Sequence, residues 1–164
     1  MSRPFRFIHA SDFHLERPLF GLAAVPEHLR ELFADAPYLA ARRVFDAALA
    51  EEVDFMVLAG DLADPEMAGP RGPLFLVEQF KRLQERGIAV YWAGGQVDPP
   101  EAWPASVALP DNVRVFSRQR AEEVVHHRDG ESLARLVGFS RRRGRKIRPG
   151  DFWPDSKGPF SIAL

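Results

Sequence analysis

The segment Asp54-Phe55-Met56-Val57-Leu58-Ala59, ended by Gly60-Asp61, constrains this chain more than any other. An almost unbroken apolar run of this length, closed by a turn signal, is what a strand buried on both faces of a parallel sheet requires. Parallel strands need crossovers, and helical patterns flank the run on both sides. Upstream, Phe5–Ala10 reads as a strand ended by Ser11-Asp12, and Tyr38–Glu52 carries apolar residues at helical spacing (Leu39, Val44, Phe45, Ala48, Leu49). Downstream, Leu74–Arg86 is amphipathic, with Gly87 where a helix-terminating glycine belongs. Ile88–Ala93 is then a third buried strand, closed by Gly94-Gly95. The alternation of strand and helix predicts an α/β fold with a mostly parallel sheet and right-handed crossovers.

Residues 13–37 are expected to be loop-like with helical patches, punctuated by Pro18, Gly21, Pro26 and Pro37. Past residue 100 the pattern changes. Val113–Phe116 is a short strand, and Asp129-Gly130 between two apolar stretches predicts an antiparallel hairpin, expected at the edge of the sheet. Arg141–Arg148 is a basic loop, and Pro159–Leu164 reads as a strand that stops with the chain, which suggests a piece of a longer protein.

Composition narrows the chemistry. The net charge of −1 rules out a strongly basic surface, so any nucleic-acid contact needs a local patch. There are no cysteines, which excludes disulfides and thiolate metal sites and makes a reducing cytoplasm the expected compartment. The start of the chain does not read as a signal peptide, and no apolar run is long enough to span a membrane. A metal site would have to use His, Asp, Glu or a carboxamide, a donor set suited to Mn, Mg, Fe or Zn.

Ligands of parallel α/β sheets bind beyond the carboxyl ends of the strands. Here those ends read Asp12-Phe13-His14, Gly60-Asp61-Leu62-Ala63-Asp64 and Gly94-Gly95-Gln96-Val97-Asp98. Asp-x-His offers an oxygen and a nitrogen ligand from one turn. An Asp after the central strand can give one oxygen to each of two cations. Two divalent ions roughly 3.5–4 Å apart can clamp a phosphate, activate water and stabilise a leaving oxygen.

The first two motifs resemble those of the calcineurin-like metallophosphoesterases. The surrounding stretches, Phe7–Leu15 and Val53–Asp61, resemble the SbcD-type DNA repair exonucleases. The resemblance covers essentially the whole chain, as the N-terminal portion of such a nuclease domain. It implies a two-sheet sandwich with helices outside, of which this chain supplies the first sheet and the start of the second. It implies a two-metal site, with manganese the expected ion and Fe, Zn or Mg as alternatives. Asp12 and His14 would bind the first metal, Asp61 would bridge both, and Asp64 would support them from behind. It further implies DNA as substrate and, for a full-length protein, an ATPase partner and a homodimer.

The third motif departs. Where that family has Gly-Asn-His followed by Asp or Glu, this chain has Gly95-Gln96-Val97-Asp98. Gln96 could still offer a carbonyl oxygen, from one methylene further out. Val97 can neither give nor take a proton, a role typically worth ~10²–10⁴-fold in rate. Later histidine motifs would fall beyond Leu164. These departures favour two expectations: that the chain alone is inactive, and, as an alternative to hydrolysis, that it is a degenerate relative serving as a nucleic-acid- or protein-binding module.

The remaining candidates have commoner structural explanations. Asp98 could orient a catalytic group, but a turn-forming role is the commoner one. His126 and His127 read as solvated strand-end residues, His9 as a core or sheet-face residue and His28 as a surface one. Arg141, Arg142, Arg143 and Arg145, with Lys146 and Arg148, could touch DNA phosphates, although a solvated loop is the more frequent role of such a cluster. Trp92, Trp103 and Trp153 could stack on bases, but core or rim packing is commoner.

Overall fold

The computed structural model of the chain describes residues 3–15, 25–65, 69–142, 148, 150, 152 and 158–164. Four short strands, β1 (Phe7–Ala10), β2 (Phe55–Leu58), β3 (Ala89–Trp92) and β4 (Val113–Val115), form a parallel sheet in the order β1-β2-β3-β4. Helix α1 (Arg30–Ala50) lies between β1 and β2 in the chain, and α2 (Arg71–Gln84) lies between β2 and β3. Because the strand order is sequential and the crossovers share one hand, both helices fall on one face of the sheet.

The period-2 alternation of β2 divides the core. Met56 and Leu58 face the helices and pack with Tyr38, Phe45, Phe75, Phe80 and Trp92. Phe55 and Val57 face the other way, against a second sheet. That sheet consists of β5 (Glu122–Arg128), β6 (Glu131–Gly138) and β7 (Phe160–Ala163), in the order β5-β6-β7. The hairpin is therefore not an added edge of the first sheet. Together with β7, which runs parallel to β6, it covers the first sheet's free face through Ala134, Leu136, Val124 and Ile162. At its tip Asp129 and Gly130 both take positive φ (54° and 80°), as a two-residue type I′ turn requires.

Helix α1 begins well before Tyr38, at Arg30, and runs through Pro37, which the sequence marks as loop punctuation. A proline inside a helix removes one backbone donor and costs ~3 kcal/mol. Tertiary packing offsets this. Tyr38, Ala41, Phe45 and Ala48 form a buried stripe, and the Arg71 guanidinium pairs with Asp35 and lies 4.1 Å from the centre of the Tyr38 ring. Leu39, expected on the apolar face, falls outside that stripe and is half exposed. Helix α2 starts three residues earlier than expected, with Pro73 in its first turn, where no donor is lost. No helix among the described residues is long and apolar enough to cross a membrane.

Polar contacts also join the two sheets. Asp54, just before β2, accepts from Arg128 of β5 (2.6 Å) and from the Arg6 amide (2.9 Å). His126, expected at the surface, is buried instead. The register shift between His126 and His127 accompanies this inward turn. Its Nδ1 shares a 2.9 Å hydrogen bond with the Tyr91 hydroxyl, and its ring lies 4.8 Å from that of Phe55. His127 is exposed, as are His9 on β1 and His28.

Burial lowers the His126 pKa below its ordinary 6.5, with Asp54 opposing and His127 and Arg128 reinforcing the shift. The unfolded chain then binds the extra proton first, so stability falls as pH drops below 6.5 towards the folded-state value. His126→Phe should melt lower at pH 7.5, because losing the Tyr91 hydrogen bond costs about 1–2 kcal/mol. Its melting temperature should fall less steeply than the wild type's between pH 6.5 and 5. Parallel slopes in thermal melts across that range would contradict a buried neutral imidazole.

Candidate metal centre

The backbone pairing of β1 and β2 continues past their ends. The Ala59 amide donates to Ala10 O, Asp12 to Gly60 O, His14 to Asp61 O and Leu15 to Leu62 O, all at 2.9–3.0 Å. Two chain segments leaving neighbouring strands are thus held side by side, with Leu15 and Leu62 buried beneath them. Holding them so close requires an unusual backbone. Asp12, His14 and Asp61 have φ of 57°, 45° and 55°, in the left-handed region that costs a non-glycine residue of order 1–2 kcal/mol.

These three strained residues are the ones that converge. Asp12, His14 and Asp61 each offer a ligand atom, and the three atoms lie within 4.8 Å of one another. His14 Nε2 lies 3.4 Å from Asp12 Oδ1; the Asp12 side chain is 62% exposed and that of His14 27%, so the cluster opens to solvent. Two carboxylates and one imidazole fit a divalent cation of the Mn, Fe, Zn or Mg kind. The family resemblance singles out the same trio from the sequence. Asp64 is half-buried three residues beyond Asp61 and lies outside it.

The loop after β3 closes over Asp61. Asp61 Oδ1 accepts hydrogen bonds from the amides of Gln96 (2.5 Å) and Val97 (3.0 Å). That oxygen is held by two amides, which fixes the orientation of the carboxylate beside Asp12 and His14. The approach depends on glycine: a Cβ on Gly95 would overlap the Asp61 carboxylate, and one on Gly60 would overlap the Gly95 backbone. The Gln96 carbonyl oxygen, the other candidate ligand of this loop, accepts from Arg141 Nη1 at 2.8 Å. Val97 is half-buried and adds only its amide.

Asp98 does more than form a turn. It is 2% exposed and accepts three backbone hydrogen bonds: Asp61 (2.8 Å) and Gly95 (2.7 Å) donate to Oδ1, and Leu62 (2.9 Å) donates to Oδ2. Burial raises its pKa, while the three amides pull the other way. A second support, Ser140, carried no sequence signal. Its buried hydroxyl accepts from the Gly94 amide (2.8 Å) and donates to Phe116 O.

The other candidates do not join the cluster. Trp92 is buried and packs edge-on against Trp103, 5.4 Å between centres, so its ring is closed to a base. Arg141 and Arg142 are exposed; Arg143, Arg145, Lys146 and Trp153 lie outside the described residues.

Replacing Asp98 should damage the centre without touching a ligand. Asp98→Ala orphans three amides, and each that stays dry costs about 1–3 kcal/mol. Chemical denaturation should show a loss of at least about 2 kcal/mol, with Asp98→Asn less damaging because it keeps an acceptor oxygen. Equal stability of Asp98→Ala and wild type would mean that the carboxylate does not hold the loops.

Comparison with known proteins agrees with this geometry. The sequence profile of the calcineurin-like phosphoesterases matches residues 5–164. An uncharacterized metallophosphoesterase of Bacillus subtilis, YhaO, is 38% identical over 134 residues, covering 82% of this chain and 33% of its own length. The DNA double-strand break repair protein Mre11 of Sulfurisphaera tokodaii is 26% identical over 100 residues, covering 61% of this chain and 24% of its own length. The chain thus spans about a third or less of these relatives. With the profile matching nearly end to end and the acidic and histidine side chains gathered at the ends of β1 and β2, the chain belongs to the calcineurin-like phosphoesterase family.

Proposed function

We propose that this protein is a divalent-metal-dependent phosphodiester hydrolase acting on nucleic acid, with Asp12, His14 and Asp61 as the metal-holding residues. The observation that carries the proposal is the convergence of those three side chains on strained backbone at two adjacent strand ends. Strain of this kind persists where a surrounding structure enforces it, and it clusters at functional sites. The likeness to a protein named for DNA double-strand break repair supports nucleic acid as the substrate class. Manganese is the ion we propose, in a protein of the cytoplasm. A homodimer and an ATPase partner are proposed for the protein at its native length.

A bound divalent ion would neutralise the carboxylates, draw in a phosphoryl oxygen and make water a better nucleophile at neutral pH. The chain's own residues supply the frame. Asp12 and His14 present an oxygen and a nitrogen from one turn, and Asp61 presents a carboxylate whose orientation two amides fix through Oδ1. Val97 supplies no proton, so proton transfer to the leaving group falls to another residue or to solvent.

Turnover should be measured on the protein at its native length, with single- and double-stranded DNA and bis(p-nitrophenyl) phosphate as substrates. Mn²⁺-dependent cleavage is expected, abolished by a chelator and reduced at least about 10²-fold in Asp61→Asn, the scale of losing one electrostatic catalytic group. Cleavage that survives Asp61→Asn would remove the assignment. Metal binding without any turnover would instead favour a non-catalytic binding module, as the loss of proton chemistry at Val97 allows.

A further inference from the structure

Among the described residues, Arg141 is a cation near the loop over Asp61 that the proposed chemistry does not use. Arg141 is attached at two points to the loop that closes over Asp61. Its amide donates to Gly94 O (2.8 Å), and its Nη1 donates to Gln96 Oε1 (2.8 Å). The Gln96 amide in turn donates to Asp61 Oδ1 (2.5 Å). Gln96 thus links the two through different groups: its side-chain carboxamide takes the Arg141 guanidinium, and its backbone amide takes the Asp61 carboxylate.

The partner's chemistry matters. Arg82, Arg128 and Arg135, for example, each pair with a carboxylate at 2.6–2.7 Å, which offsets much of their charge. Gln96 is neutral. It fixes the direction of Arg141 and leaves the positive charge intact. Among the described residues no carboxylate pairs with Arg141, and the side chain is exposed. A guanidinium carries five N–H donors in a planar fork, and the bond to Gln96 uses one. The fork matches two oxygens of a phosphoryl group. An anion approaching Asp12 and Asp61 meets two negative charges, and a fixed cation alongside offsets part of that repulsion.

We propose that Arg141, oriented by Gln96, is a phosphoryl-binding residue of this site. Gln96 is then a positioning residue for arginine, and the altered loop supplies an organic cation next to the metal-holding trio. The ligand is the oxyanion shared by a nucleic-acid backbone and a small phosphoester. This inference rests on the proposed metal-dependent function, and its test separates the two.

Affinity for inorganic phosphate and for a short oligothymidylate should be measured by calorimetry on the Mn²⁺-saturated chain, with Mn²⁺ affinity measured independently. Arg141→Ala should weaken phosphate binding about tenfold, the scale of one charge-assisted bidentate contact, without weakening Mn²⁺ binding or lowering the melting temperature. Arg141→Lys should recover part of the loss, since it keeps the charge without the fork. Gln96→Ala should weaken phosphate binding less than Arg141→Ala does. Weakening for both probes, or for phosphate alone, supports the site, the second result pointing to small phosphoesters. Weakening for the oligonucleotide alone marks an ordinary backbone contact and overturns it, as does wild-type phosphate affinity in Arg141→Ala with Mn²⁺ bound. If the wild type takes up no Mn²⁺, the metal assignment fails. A metal-free ¹⁵N–¹H spectrum then decides the inference: a phosphate-induced shift of the Arg141 Nε–H signal upholds it, and no shift overturns it.

Discussion

One buried carboxylate, Asp98, connects the loops from which this site is built. Its two oxygens take the amides of Asp61 and Leu62 from the loop after β2 and of Gly95 from the loop after β3. The Asp61 side chain returns the contact by accepting from Gln96 and Val97. The two loops are thereby locked together by four backbone donors that cross between them and two aspartates, with the Gly95 amide tightening the second loop on itself. That lock adds to the backbone bonds from Asp12, His14 and Leu15 in holding Asp61 in its left-handed conformation, where its neighbour Gly60 lies against Gly95 with no room for a side chain. The cost of burying Asp98 and of straining three residues is offset by the layers beneath. The helices cover one face of the parallel sheet and the hairpin sheet covers the other.

Those layers explain why the strand ends can be shaped so closely. β2 is buried on both faces and fixed in register to β1 and β3, so the point at which each strand stops is set to the residue. The parallel pairing of the segments after β1 and β2 extends that precision outward to Asp12, His14 and Asp61. The result is a rigid frame with an exposed, acidic mouth, which is the arrangement a cation-holding centre needs.

Much of this was legible because it is local. The apolar run at Phe55–Ala59, the glycines that follow it and the Asp-x-His after Phe5–Ala10 are contiguous patterns, and they gave the sheet and the trio together. Asp129-Gly130 announced the hairpin for the same reason. What stayed hidden depends on distant partners. Pro37 sits inside a helix because Arg71 and the buried stripe support the turns around it. His126 is buried because a second sheet folds over Tyr91 and Phe55, so that the hairpin becomes a layer rather than an edge. Asp98 and Gln96 looked like a turn residue and a displaced ligand. Their roles, gripping amides 36 and 37 residues away and holding an arginine 45 residues away, have no signature in spacing.

The central claim is that Asp12, His14 and Asp61 form a single cation-holding centre on adjacent strand ends. Pulsed electron paramagnetic resonance of Mn²⁺ added to the chain tests it most directly, because an imidazole ligand leaves a nitrogen modulation on the manganese signal. The account predicts one such nitrogen, lost in His14→Gln while the fold is retained. A manganese signal showing only water, or a nitrogen modulation that survives His14→Gln, would contradict it.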